Sequence, residues 1–205
     1  MKTRTLCLAA AALMAAALAL PLWGIAMSAP QYPDETLSLR ITRAGIAGDV
    51  HEVTTLQHYV GISFPTDLPE LRWATWIIVV LTASLVAAAF AGAGAVGRVL
   101  RGVCAVTLLA FLLGSAAAVQ ARLYRVGHQR DPKAPMRALH DFTPPLIGPV
   151  RVANFTVWSF PHVGAAFLVA AAALTVAAAR RRDDSGGPRS GDRLVRNLGA
   201  DKAVA

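Results

Sequence analysis

The chain contains few of the residues that catalytic and metal-binding motifs require. Its only two cysteines are Cys7 and Cys104. Both lie in apolar runs that are expected to be helical, so we predict packing roles and neither a disulfide framework nor a CxxC metal pair. The sequence also has no Walker A glycine loop, no HExxH pair, no GxSxG elbow and no CxxCH haem-attachment motif. We therefore do not expect a stand-alone enzyme.

Ionisable residues are absent from the middle of the longest apolar runs. Proton relays and ion-coupled transporters carry such groups within the membrane, so transport by this chain alone is not expected. The net charge of +8 would suit nucleic acid, but the basic residues are not clustered with interleaved aromatic residues. The sequence therefore predicts no nucleic-acid partner.

Long apolar runs dominate the sequence, in which 55% of the residues are hydrophobic. Four runs approach the length of about 20 residues that a helix needs to cross the hydrocarbon core; they cover about residues 6–27, 73–95, 103–121 and 157–179. The predicted fold is thus an all-α integral membrane protein, with four transmembrane helices in a domain of residues 1–179. Residues 180–205 are rich in Gly, Ser and Asp and are predicted to be a disordered cytoplasmic tail.

The distribution of charge predicts the orientation. Lys2 and Arg4 precede the first run in a layout that resembles a signal peptide, but Pro30 would be a poor first mature residue, so we expect a retained signal anchor. Arg98 and Arg101 lie in the short second connection, where basic residues favour the cytoplasmic side. Aromatic residues at the opposite helix ends form a one-sided belt: Trp23, Trp73, Trp76, Tyr124 and Trp158. We predict a multi-pass protein of the bacterial inner membrane with both termini in the cytoplasm.

Two long connections, residues 28–72 and 122–156, are predicted to lie outside the cytoplasm. The alternation of apolar and polar residues from Leu37 to Ile41, with later segments at 45–49 and 50–55, favours a β-hairpin in the first. Acidic residues outnumber basic ones in the first connection, and the reverse holds in the second. Coulomb attraction should therefore favour docking of the two as one small cap.

The second connection contains the segment Gly127–Gly148, GHQRDPKAPMRALHDFTPPLIG, where we expect the functional surface. It concentrates potential soft ligands, His128, Met136 and His140, and imidazole and thioether groups suit copper, especially Cu(I), better than they suit magnesium or calcium. The same histidines can equally be hydrogen-bonded surface residues. The prolines can equally serve only to make the loop rigid.

Several short motifs together resemble an uncharacterised family of small bacterial membrane proteins encoded beside nitrous-oxide reductase and its copper-maturation genes. The motifs are APQYP at 29–33, LQHYVG at 56–61, GHQRDP at 127–132, PPLIG at 144–148, NFT at 154–156 and SFP at 159–161. The resemblance covers roughly residues 21–164. The chain departs from the family pattern at Ile62, where a methionine often stands, and at His140, where a methionine is common.

The resemblance implies a membrane-anchored accessory protein that assists maturation or copper supply of a periplasmic copper enzyme of the nitrous-oxide-reductase type. The candidate copper ligands are His58, His128, His140 and Met136. The candidate partner-binding residues are Tyr59, Asp131, Pro132, Pro144 and Pro145. The expected partner is a periplasmic or membrane protein that handles electrons or copper. The alternative is a structural or electron-transfer membrane anchor for a periplasmic redox partner, without metal of its own.

Overall fold

Along the chain, one helix is followed by three strands, three helices, two strands and a last helix. The computed structural model describes residues 2–29, 32–60, 69–92, 94–129, 142–152 and 154–181, with only the backbone described at 32–34, 56–60 and 69–71. The elements are α1 Thr3–Ala17, β1 Trp23–Ala29, β2 Tyr32–Thr42, β3 Gly45–Gly48, α2 Val50–Val60, α3 Pro69–Phe90, α4 Ala95–His128, β4 Gly148–Val152, β5 Phe155–Pro161 and α5 Val163–Arg180.

Four of the helices form a bundle around one apolar core. Helices α3 and α5 each pack against both α1 and α4, so α1 and α4 lie on opposite sides of the bundle. All four contribute fully or nearly fully buried side chains, among them Met14, Leu85, Leu108 and Ala171. Alanines are frequent at the contacts, and such small residues let the helix backbones approach closely. Close packing of this kind can hold helices together in lipid, where the hydrophobic effect does not drive their association.

Three described helices are long and apolar enough to cross a membrane: α3 over 72–90, α4, and α5. No more than a third of the residues in their most apolar stretches are buried in the isolated chain, as expected of helices with surfaces that face lipid. Helix α4 has 34 residues and a length of about 51 Å. Because this exceeds the hydrocarbon core thickness of about 30 Å, α4 must project out of the membrane.

The prediction of an all-α protein with four transmembrane helices is wrong. The chain forms a five-stranded antiparallel sheet with the order β3-β2-β1-β5-β4, and α1 has only 15 residues. The first predicted span, 6–27, ends early because a short turn after Ala17 leads to Pro21, which cannot donate a helical hydrogen bond. The remainder of that apolar run is strand β1.

The fourth predicted span, 157–179, is wrong over its first residues, because they also form a strand. Residues up to Pro161 belong to β5, which pairs antiparallel with β1 from Trp23↔Pro161 to Ser28↔Thr156. Helix α5 begins only at Val163. This pairing joins β2 and β3 of the first long connection and β4 of the second into one sheet through backbone hydrogen bonds, whereas the sequence predicted that opposite charges would bring the two connections together.

The predicted hairpin in the first connection is present as β2 and β3, paired from Leu39↔Gly48 to Thr42↔Gly45. Its expected third segment, 50–55, is instead part of α2, which packs against β2. The predicted tail lies outside the described residues after Arg181.

The sheet defines one end of the molecule, which we call the sheet end. Unpaired sheet edges do not occur within hydrocarbon, so the sheet must lie outside the bilayer. Trp73 and Trp76, near the start of α3, are 75% and 65% exposed, as expected of indole rings at a membrane interface. The other end, formed by the start of α1, the α3–α4 turn and the end of α5, we call the basic end.

Candidate functional site

The sheet is fixed to the bundle where α1 leads into β1 and β5 leads into α5. The amide of Gly164 donates to the carbonyl of Pro21 at 2.9 Å, and the amide of His162 donates to Leu22 at 3.1 Å. A Cβ atom at Gly164 would lie 2.7 Å from the Pro21 oxygen, closer than packed atoms allow. The α1–β1 connection and the β5–α5 connection therefore lie in close contact, and this contact orients the sheet relative to the helices.

One face of the sheet carries a chain of side-chain hydrogen bonds. Trp23 Nε1 donates to Ser159 Oγ at 2.8 Å, and Ser159 Oγ donates to the carbonyl of Leu146 at 2.9 Å. Ile25 pairs with both Ser159 and Leu39, which places these side chains on one face because strand side chains alternate. The segment preceding β4 is thus held onto the apolar face of the sheet.

The same segment packs against the projecting end of α4. Gly127 is buried there, and a Cβ atom at this position would collide with the Phe142 carbonyl oxygen. About two turns earlier on the helix, Gln120 Nε2 donates to the Pro144 carbonyl at 3.2 Å. Residues 142–146 therefore bridge α4 and the sheet, and they bring part of the predicted functional segment to a defined position.

His128 lies at the last turn of α4, beside this bridge. Its ring stacks on Tyr124 with the centroids 4.0 Å apart, and Nδ1 lies 2.9 Å from the Tyr124 carbonyl oxygen. A carbonyl oxygen only accepts, so Nδ1 must donate. In the neutral ring, Nε2 then carries the lone pair.

The other described histidine rings differ from His128. His162 Nδ1 accepts from the amide of Val163 at 2.9 Å, so this lone pair caps the N-terminus of α5. His51 is exposed in the first turn of α2. Among these rings, His128 is thus the one held by a carbonyl in the way that metal-ligating histidines commonly are.

The remaining predicted site residues are described in part or not at all. Pro144 and Pro145 lie in the bridge. His58 and Tyr59 lie in α2, with only their backbone described, whereas Asp131, Pro132, Met136 and His140 fall outside the described residues. Within the described stretches, no group of three or more His, Cys, Asp or Glu side chains is placed to hold a metal ion. The four-residue copper site therefore stays a prediction.

The opposite face of the sheet presents aromatic side chains from the segment that the sequence predicts to start the fourth span, 157–179. Trp158 and Phe160 are 49% and 39% exposed, and Trp158 pairs with Pro149 on the neighbouring strand. Phe160 covers Gly24, where a Cβ atom would lie 2.5 Å from the nearest ring atom. The segment FTVWSFP is rich in β-branched and aromatic residues, a composition that favours a strand, although the hydropathy of 157–179 predicts one continuous helix.

No protein-family model, no curated protein and no solved structure matches this chain.

Proposed function

We propose that the chain is a membrane-anchored accessory protein that assists maturation or copper supply of a periplasmic copper enzyme. The helices that can cross a membrane would provide the anchor, and the sheet with the projecting end of α4 would provide the surface presented to the enzyme. The family resemblance in the sequence motivates the choice of copper. The observation that carries the proposal is the orientation of the His128 ring.

The hydrogen bond of His128 selects a tautomer that suits metal binding. Because Nδ1 donates to the Tyr124 carbonyl, Nε2 keeps an available lone pair, and the stacked Tyr124 ring restricts rotation of the imidazole. Metal-ligating histidines usually donate their other ring N–H to a carbonyl, a carboxylate or water, which fixes the tautomer and raises ligand basicity. His128 would therefore need little reorganisation to bind a metal ion.

The other proposed ligands are His58, His140 and Met136. Imidazole and thioether groups together favour Cu(I) over hard cations. The bridge of residues 142–146 would hold one side of such a site in place, since it is bonded to both α4 and β5. His128 lies at the projecting end of α4, outside the buried core of the bundle, where a partner enzyme could approach it to receive the metal.

Cu(I) binding by the purified protein in detergent tests this function. In competition with a chromophoric Cu(I) chelator, His128→Ala and a His58→Ala, His128→Ala double variant should bind Cu(I) more weakly by about tenfold or more, the scale seen when the shell around a metal is disturbed. His51→Ala removes an exposed histidine and should leave the affinity unchanged. Equal affinity of the wild type and the double variant would overturn the metal role.

A second function is favoured by the aromatic face of the sheet. Trp158 and Phe160 are exposed beside Pro149, and aromatic residues are enriched where proteins dock. The chain would then be a structural or electron-transfer anchor that holds a periplasmic redox partner without copper of its own. Co-purification of a partner that is lost in Trp158→Ala but persists in His128→Ala would favour this function, and an absorption spectrum showing bound haem would favour electron transfer.

A further inference from the structure

The basic end of the bundle concentrates positive charge from three separate parts of the chain. Leu6 and Cys7 of α1 pack with Ala89 of α3 and Ala178 of α5, so the start of α1 lies beside the ends of α3 and α5. The basic residues of this end are Lys2, Arg4, Arg98, Arg101, Arg180 and Arg181. The described stretches 2–20, 85–92, 94–105 and 171–181 contain no acidic residue.

Two of these arginines are held in place by neighbouring groups. The Arg4 guanidinium lies 4.5 Å from the centroid of the Phe90 ring, a cation–π contact. The buried Arg101 donates from an Nη atom to the Gly92 carbonyl at 3.0 Å, so its guanidinium group is held at the α3–α4 turn. Arg98, one turn earlier on α4, is exposed. Part of the positive charge is therefore held in a defined position around the α3–α4 turn.

The helix termini add to the positive potential. Helices α1 and α4 both begin at this end, and neither has a side-chain cap or an acidic residue in its first turn. The N-terminus of a helix carries a partial positive charge and donates amide hydrogen bonds to anions. An anion at this end would therefore interact with both helix dipoles and arginine side chains.

Apolar side chains adjoin the same charges. Phe90, Val96 and Val99 are 64%, 74% and 65% exposed, and they belong to two helices that can cross the membrane. A free phosphate would contact only the charges, whereas a phospholipid would place its headgroup on the arginines and its acyl chains on these residues. We infer that the basic end, around Arg4, Phe90 and Arg98, binds an anionic glycerophospholipid.

Lipid-dependent stability tests the inference in the full-length protein. In a neutral detergent, phosphatidylglycerol should raise the midpoint of thermal unfolding, and the same amount of phosphatidylcholine should not. An Arg4→Gln, Arg98→Gln double variant should lose this difference, because it removes the exposed guanidinium groups that contact the phosphate. Native mass spectrometry should show preferential retention of phosphatidylglycerol by the wild type, reduced in the variant.

Arg43→Gln, Arg151→Gln is the matched control, since it removes two exposed arginines from the sheet end. This variant should respond to phosphatidylglycerol as the wild type does. An equal response of the wild type to both lipids, or an equal loss in both double variants, would overturn the inference. Stabilisation by inorganic phosphate alone would also overturn it and indicate a site for free anions. Even if the Arg4→Gln, Arg98→Gln variant failed to fold, equal retention of the two lipids by the wild type would decide against the site.

Discussion

Trp23 and Ser159 lie 136 residues apart and are joined by a 2.8 Å hydrogen bond from the indole Nε1 to the hydroxyl oxygen. Trp23 is the first residue of β1, which follows α1 after a short turn, and Ser159 lies near the end of β5, shortly before α5. Because Ser159 also donates to the Leu146 carbonyl, one hydroxyl links β1, β5 and the segment that precedes β4. The sheet end is therefore held together by a side chain as well as by its strand pairing.

Replacing that hydroxyl should loosen the sheet end. Ser159→Ala leaves a half-buried indole N–H and a carbonyl oxygen without their partner, which should cost about 1–3 kcal/mol. The midpoint of thermal unfolding in detergent should fall. Ser28→Ala removes a hydroxyl from the opposite face of β1 and should have a much smaller effect; equal midpoints for the two variants would contradict the structural role of the bridge.

A methyl group at Gly127 should separate the bridge from α4. In Gly127→Ala, the new Cβ atom collides with the Phe142 carbonyl oxygen, so residues 142–146 must move and Gln120 should lose its bond to Pro144. Limited proteolysis should then cut this segment faster. At Gly114 on the same helix a Cβ atom meets open space, and Gly114→Ala should stabilise α4 by about 0.5–1 kcal/mol without changing the cleavage rate.

Pro144 and Pro145 of the bridge should affect the activity of the partner enzyme more than the insertion of this protein into the membrane. Replacing Pro144 and Pro145 by Ala enlarges the range of backbone conformations of this segment, so the activity of the dependent copper enzyme in cells should fall. The amount of the protein in the membrane should remain unchanged, because insertion depends on the apolar helices. Normal enzyme activity at normal expression would argue against a preformed surface, and loss of the protein from the membrane would indicate a packing role.

The orientation can be tested with reporter fusions. The basic residues at the start of α1 and at the α3–α4 turn favour the cytoplasm for the basic end, and this proposed orientation would put the sheet in the periplasm. Alkaline phosphatase fused after Gly148 should be active, and fusions after Gly97 or Gly186 should be inactive. The reverse pattern would overturn the periplasmic copper site together with the proposed orientation.

Local sequence patterns predicted the parts of the fold that depend on local interactions. The apolar stretches in 73–90, 103–121 and 163–179 are helical, and the alternation from Leu37 to Ile41 lies in a hairpin strand. Strand β1 could not be recognised in the same way, since WGIAMSA is apolar at nearly every position and continues the apolar run of α1. Its partner β5 is also distant in sequence, and hydropathy does not reveal such pairing.

The candidate site was predictable by residue type but not by geometry. His128 was identified because histidine and methionine cluster in Gly127–Gly148, whereas its tautomer depends on the Tyr124 carbonyl one turn earlier. The bridge depends on Gly127, whose missing side chain admits the Phe142 carbonyl. The sequence alone does not reveal this role of Gly127, because close approach between segments is a property of the folded chain.

The shortness of α1 has a consequence for the surrounding lipid. Fifteen residues rise about 22 Å, which is about 8 Å less than the usual hydrocarbon thickness. Helix α1 packs against α3 and α5, which are long enough to cross a membrane, but is itself too short to do so. The bilayer beside α1 would therefore have to become thinner, or the polar groups near its ends would lie level with the acyl chains. Hydrophobic mismatch of this kind has an energetic cost that grows with membrane thickness, so the protein should be more stable in short-chain than in long-chain phospholipid bilayers.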